Sequence, residues 1–209
     1  MVDLLRDQHA EVDTLFRQID EAAVHRRQDL SDRLSRLLVA HAAIEREIVY
    51  PALAKIAEHE ILRSYEELAV IEQCLAKLCE VKVNDRTFEA KVAVLEDIVR
   101  HHVDQEDELL RTAAEQLEES ALARLHASIQ ERFDEVLASD HRALLAESVA
   151  ASAAATLPQD CELFHAAPAE AIPDEQERAN ESSLASPRRS ARKSGVRTRR
   201  IRAGMLRGR

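Results

Sequence analysis

Glycine is scarce in this chain, three residues in 209, and tryptophan is absent. So few glycines make a phosphate-cradling loop hard to build, and no glycine-rich nucleotide motif or nucleophile motif appears. The three cysteines, Cys74, Cys79 and Cys161, form no even framework of the kind that staples secreted domains. Cys74 and Cys79 stand five apart on one helix, poorly aligned for a disulfide, and read as small core or flank residues. Long apolar runs are also missing. The longest weakly polar stretch, Val149 to Leu157, is mostly Ala and Ser and about half the length needed to cross a bilayer. The opening residues, Met-Val-Asp-Leu-Leu-Arg-Asp-Gln-His, are charged and amphipathic and lack the apolar core of a signal peptide. These absences point to a soluble protein of the reducing cytoplasm.

What is present is helical. Ala, Leu, Glu and Arg abound, aromatic residues make up 3% and prolines number five, and 45% of residues are hydrophobic, enough for a real core. The length suits one domain of ordinary size with a tail. Net charge is −10, but residues 188–209 carry ten of the 29 Lys and Arg and no acid, which leaves the preceding residues at about −20. An acidic body does not suggest a nucleic-acid binder. The basic end could contact an anionic partner.

Taken in order, residues 2 to about 23 place Leu5, His9, Val12, Phe16 and Ile19 on one helical stripe. A polar segment at 26–31 follows, with Asp29 or Ser31 as a cap, and then a helix over about 31–58 with Leu34, Leu37, Leu38, His41, Glu45 and Ile48 inward. Pro51 should kink that helix or end its first half, since it lacks an N–H and its ring clashes with the preceding turn. A third helix is expected over 60–82, with Ile61, Tyr65, Leu68, Glu72, Leu75 and Cys79 in one stripe. A turn at 83–87 follows, where Asp85 or Thr87 could cap a fourth helix over 87–117 bearing Val92, Leu95, Val99, His102, Glu106 and Leu109. A shorter fifth helix over 120–138 should pack across the outside or one end. The reading is therefore an all-α antiparallel up-down four-helix bundle over residues 1–140. Residues 141–209 read as a disordered tail with a basic end at 188–209 and at most a transient helix before Pro158.

Five ionisable residues, His9, His41, Glu45, His102 and Glu106, fall on the inward stripes. His41 and Glu45, and again His102 and Glu106, are four apart, so each pair aims an imidazole and a carboxylate from one helix face. Burying a carboxylate costs several kcal/mol unless it gains a partner or a cation. One buried histidine is usually a hydrogen-bonded core residue, but two repeated pairs with a third histidine describe a metal cage. Imidazole with carboxylate and no thiolate suits non-haem iron, with manganese and zinc behind it. His25, His126, His141 and His165 sit on polar faces or in the tail and are expected at the surface.

Residues 1 to about 138 resemble the bacterial hemerythrin-like, or HHE cation-binding, proteins. The resemblance rests on Leu4-Leu5-Arg6-Asp7-Gln8-His9, His41-x-x-x-Glu45 with Ile48-Val49-Tyr50-Pro51, Tyr65-Glu66-Glu67-Leu68-Ala69-Val70-Ile71, and His101-His102-Val103-Asp104-Gln105-Glu106. It implies a four-helix bundle with a non-haem, usually di-iron, centre that meets O₂, peroxide or nitric oxide, or senses iron. It also implies His9, His41 and His102 as terminal ligands and Glu45 and Glu106 as bridging carboxylates. One position departs, because Leu68 stands where the family commonly has a metal-binding histidine. Its consequence is an open coordination position, a mononuclear site, or a bundle that keeps only the fold. Glu72, one turn on from Leu68, is a possible substitute, with Tyr65 next nearest. His59 points to the opposite face, and His101 is rotated about 100° from His102. The reading is a binding or sensing protein more than an enzyme, and its rival is a helical interaction module without a metal centre.

Overall fold

The computed structural model of the protein describes residues 1–154, and among these every regular element is helical. In chain order they are α1 (Val2–Glu21), α2 (Val24–Ile44), a π-helical turn (Glu45–Val49), α3 (Tyr50–Leu53), α4 (Glu58–Cys79), α5 (Phe88–Gln116), α6 (Glu119–Leu137) and α7 (His141–Ala154). None of the described helices is long and apolar enough to cross a membrane.

The inward stripes meet in one core. Leu5, Val12, Phe16 and Ile19 of α1 face Leu34, Leu38 and Ile44 of α2, Ile61, Leu68 and Leu75 of α4, and Phe88, Leu95 and Val99 of α5. Each large side chain so enclosed contributes about 1.5–3 kcal/mol of transfer free energy. Helix α1 packs on α2 and α5, and α4 packs on α5 and α2, so four helices surround the site residues. Helix α6 lies against α2 and the π turn through Ile129, Phe133 and Val136.

Three local expectations are corrected. Helix α2 begins at Val24, seven residues before the expected start, because nothing in Val24 to Leu30 breaks a helix once Ala23 takes the extended cap geometry. Arg27 ties this first turn down, donating to the Ala22 carbonyl at 3.0 Å and to Glu89 at 2.7 Å. The helix carrying Pro51 ends at Leu53, whose carbonyl accepts from the Ile56 and Ala57 amides at 2.9 and 3.1 Å. The third correction concerns residues 141–154, which form α7 and pack on α4 and α2. Leu145 and His141 are buried there, and the Ser148 hydroxyl donates to Glu72 at 2.7 Å. Its alanine content favours a helix, and those anchors give it something to pack against. His141, expected at the surface, is 7% exposed, and its own burial and then Arg36 and Arg142 hold its pKa below the usual value. His165, Cys161 and the basic end at 188–209 lie outside the described residues.

Thr87 takes the N-cap position of α5 but makes no side-chain capping bond, and Asp85 acts one step earlier, on Thr87 itself. Asp85 accepts the Thr87 amide at 2.7 Å and the Thr87 hydroxyl at 2.6 Å, which orders the entry to the helix.

Candidate metal centre

Helical spacing alone brings the five residues inward: His9 sits between Leu5 and Val12 on α1, His41 lies in the buried last turns of α2 between Leu38 and Ile44, and His102 and Glu106 follow Val99 on α5. Glu45 is the first residue of the π turn. All five are buried, Glu45 to 0% exposure, Glu106 to 1% and His102 to 3%.

Four of them converge. One ligand atom each from His9, His41, Glu45 and Glu106 lies within 4.8 Å of the others. The His9 and His41 Nε2 atoms are 3.0 Å apart, His9 Nε2 is 3.0 Å from Glu106 Oε2, and His41 Nε2 is 3.3 Å from Glu45 Oε1. His102 stands outside this group of four but joins it through Glu45, with its Nε2 3.4 Å from the same Oε1. Glu45 thus lies between two imidazoles on different helices.

The donor set fits a cation. Glu45 Oε2 and both oxygens of Glu106 are buried without a hydrogen-bond donor, although His9 Nε2 lies close to Glu106. A buried carboxylate oxygen left without a donor is costly, and a positive ion between these groups would compensate it.

The orientation of two imidazoles is set from behind. His41 donates from Nδ1 to the Gln8 amide oxygen at 2.7 Å, and His102 donates from Nδ1 to Glu67 at 3.0 Å. Each hydrogen bond leaves Nε2 facing the centre, the tautomer control common around metal-bound histidines.

The π turn shapes the site further. Its widened pairing sends the Tyr50 amide to the Glu45 carbonyl, so Tyr50 stacks one turn beyond Glu45. In an ordinary α-helix the two would diverge by about 140°. Tyr50 is consequently fully buried, and its hydroxyl lies 3.4 Å from His102 Nε2. Burial, with the Glu45 and Glu106 charges, holds its phenol well above the usual pKa.

The charge balance favours imidazolium and carboxylate while no metal is bound. Burial opposes protonation of His41, but Glu45 and Glu106 outweigh it and push the pKa up to about 10. Burial likewise opposes charge on His102, and Glu45 with Glu67 pushes it up to about 10. Burial would raise Glu45, yet His41 and His102 hold it well below the usual carboxylate range.

A cavity of about 20 Å³ opens beside these groups, lined by His9, His41, Glu45 and His102 and by Val12, Leu68 and Val99 among apolar residues. That is room for about one water-sized molecule. Leu68 borders it, so the position where the family's histidine is expected presents a methyl-lined wall. Glu72 does not fill the gap. It is buried, but accepts from Arg46 at 2.8 Å and from Ser148 at 2.7 Å. Tyr65 donates to the Arg46 carbonyl at 3.2 Å. His59 is exposed, and His101, also exposed, faces Arg63 at 3.0 Å. Gln8, Tyr50 and Glu67 were not singled out from sequence, although all three lie in the quoted motifs, Gln8 beside His9 and Glu67 beside Leu68.

By class this is a helical protein with a buried imidazole and carboxylate cluster able to bind a metal. The model of the hemerythrin HHE cation binding domain matches residues 1–114, more than half of the chain, and the protein belongs to that family. It is similar in structure to a hemerythrin HHE cation-binding domain-containing protein from Mycobacterium kansasii, with a TM-score of 0.63 and 23% identity. The match covers 71% of this chain and 98% of that one, and at such identity it speaks to the fold. No curated protein matches the chain.

Proposed function

We propose that this protein holds a non-haem iron centre in the cage, with His9, His41 and His102 as terminal ligands and Glu45 and Glu106 as carboxylates able to lie between two ions. The observation that carries this reading is the set of buried, donorless oxygens on Glu45 and Glu106 beside three imidazoles. Glu45 Oε1 lies 3.3 Å from His41 Nε2 and 3.4 Å from His102 Nε2, so this one carboxylate would serve imidazoles of two helices in such a centre. The ring of contacts among α1, α2, α4 and α5 supports the antiparallel up-down bundle expected for such a site.

Iron, when bound, supplies ferrous–ferric redox chemistry and affinity for O₂, peroxide or nitric oxide. The chain's own contribution is selection by size and polarity. Val12, Leu68 and Val99 keep bulk water from the cavity, and its volume admits only a small molecule. Leu68 offers no donor from the cavity wall, so a bound ion would have room there for such a ligand rather than a further protein side chain. Gln8 and Glu67 keep two imidazoles turned toward the centre. The protein then binds or senses a small reactive species or iron.

The test is optical. Protein loaded anaerobically with ferrous iron should develop new absorption bands on exposure to O₂ or nitric oxide, and Glu45→Ala combined with His102→Ala should abolish them. Identical spectra for wild type and the double variant would leave the interaction-module reading in its place.

A further inference from the structure

The π turn that aims Glu45 and Tyr50 into one cavity carries a local defect. In the widened register the Arg46 carbonyl would accept from residue 51, which is Pro51 and has no N–H. The α-helical alternative is the Tyr50 amide, already bonded to the Glu45 carbonyl. The Arg46 carbonyl is therefore without a helical donor. Tyr65, across on α4, donates to it at 3.2 Å. Its ring also packs edge-on against Tyr50, with centroids 5.0 Å apart and planes at 77°.

We propose that Tyr65 is a positioning residue for the centre: its hydroxyl replaces the donor that Pro51 lacks, keeps the turn in its widened register, and so holds Glu45 and Tyr50 on the same side. The neighbouring side chain of the turn is anchored as well. Arg132 of α6 grips Glu47 through two bonds of 2.7 and 3.0 Å. That pair is largely exposed and contributes little alone. The Tyr65 bond serves a part-buried carbonyl that has no helical alternative, so it carries the larger share.

The proposal rests on the metal reading for its consequence but not for its mechanics, and two readouts separate them. The first is amide hydrogen exchange of Val49 and Tyr50 in metal-free protein. Tyr65→Phe, which removes one oxygen and keeps the ring, should speed exchange roughly tenfold. Pro51→Ala in that background restores an N–H in register and should reverse most of the loss, which a general weakening of the core would not do. The second readout is release of ferrous iron to a chelator under anaerobic conditions. Tyr65→Phe should raise that rate by roughly 10- to 100-fold, the usual range for residues that orient ligands, and the Pro51→Ala double variant should lie closer to wild type. Unchanged exchange in Tyr65→Phe, or a loss that Pro51→Ala does not restore, overturns the proposal. Should wild type retain no iron, the metal reading fails, and the exchange comparison still decides the role of Tyr65.

Discussion

Loading the centre should expel protons. Without metal, His41 and His102 are both held at about 10 by the surrounding carboxylates, so at neutral pH both rings are charged. A metal takes only neutral imidazole at Nε2, so binding must displace those protons, about two per centre at pH 7. Apparent affinity should then rise with pH, with log K gaining close to two per pH unit around neutrality and levelling as pH passes about 10. The stability of metal-free protein should run the opposite way. Because both rings are raised above the unfolded value, their contribution is fully present below about 6.5 and is lost as pH climbs through about 10. Heating curves of metal-free protein should shift to lower temperature across that window, and the gain on metal addition should grow. The proton count is read directly with an indicator dye in weak buffer during anaerobic titration with ferrous iron. Binding that releases no protons, with affinity flat between pH 6.5 and 8.5, would refute the electrostatic account.

Leu68→His puts an imidazole on the cavity wall and should slow metal loss to a chelator by tenfold or more, at some cost in thermal stability because Leu68 is 2% exposed. Phe16→Ala, deep in the core, should cost about 3–5 kcal/mol in urea unfolding. Ending the chain after residue 140 should lower the melting temperature relative to ending it after residue 154, because α7 covers Glu72 and buries Leu145. Equal melting of the two truncations would show that α7 adds nothing to the bundle.

The helices and inward stripes were legible because apolar residues recur at helical spacing from Leu5 to Val136, and the same periodicity carried His9, His41, Glu45, His102 and Glu106 inward. The π turn was less so. Pro51 signalled a disturbance, but its form depends on Tyr65 reaching over from another helix to serve the Arg46 carbonyl. Tyr50 was quoted as part of a motif without a role, since in an α-helical register it points away from Glu45. Gln8 and Glu67 act through their geometry behind two imidazoles, which spacing does not reveal. Glu72 lies on the expected face, yet Arg46 and Ser148, distant in sequence, engage it. His141 and α7 were hidden for a related reason, as a short alanine-rich segment has little pattern of its own and takes its order from α4 and α2.

That His9, His41, Glu45, His102 and Glu106 hold iron can be read from elemental analysis of the purified protein. Wild type should carry more than one iron per chain and Glu45→Ala combined with His102→Ala essentially none, with both proteins folded by circular dichroism. Equal iron in the two, or none in either after anaerobic loading, would contradict it.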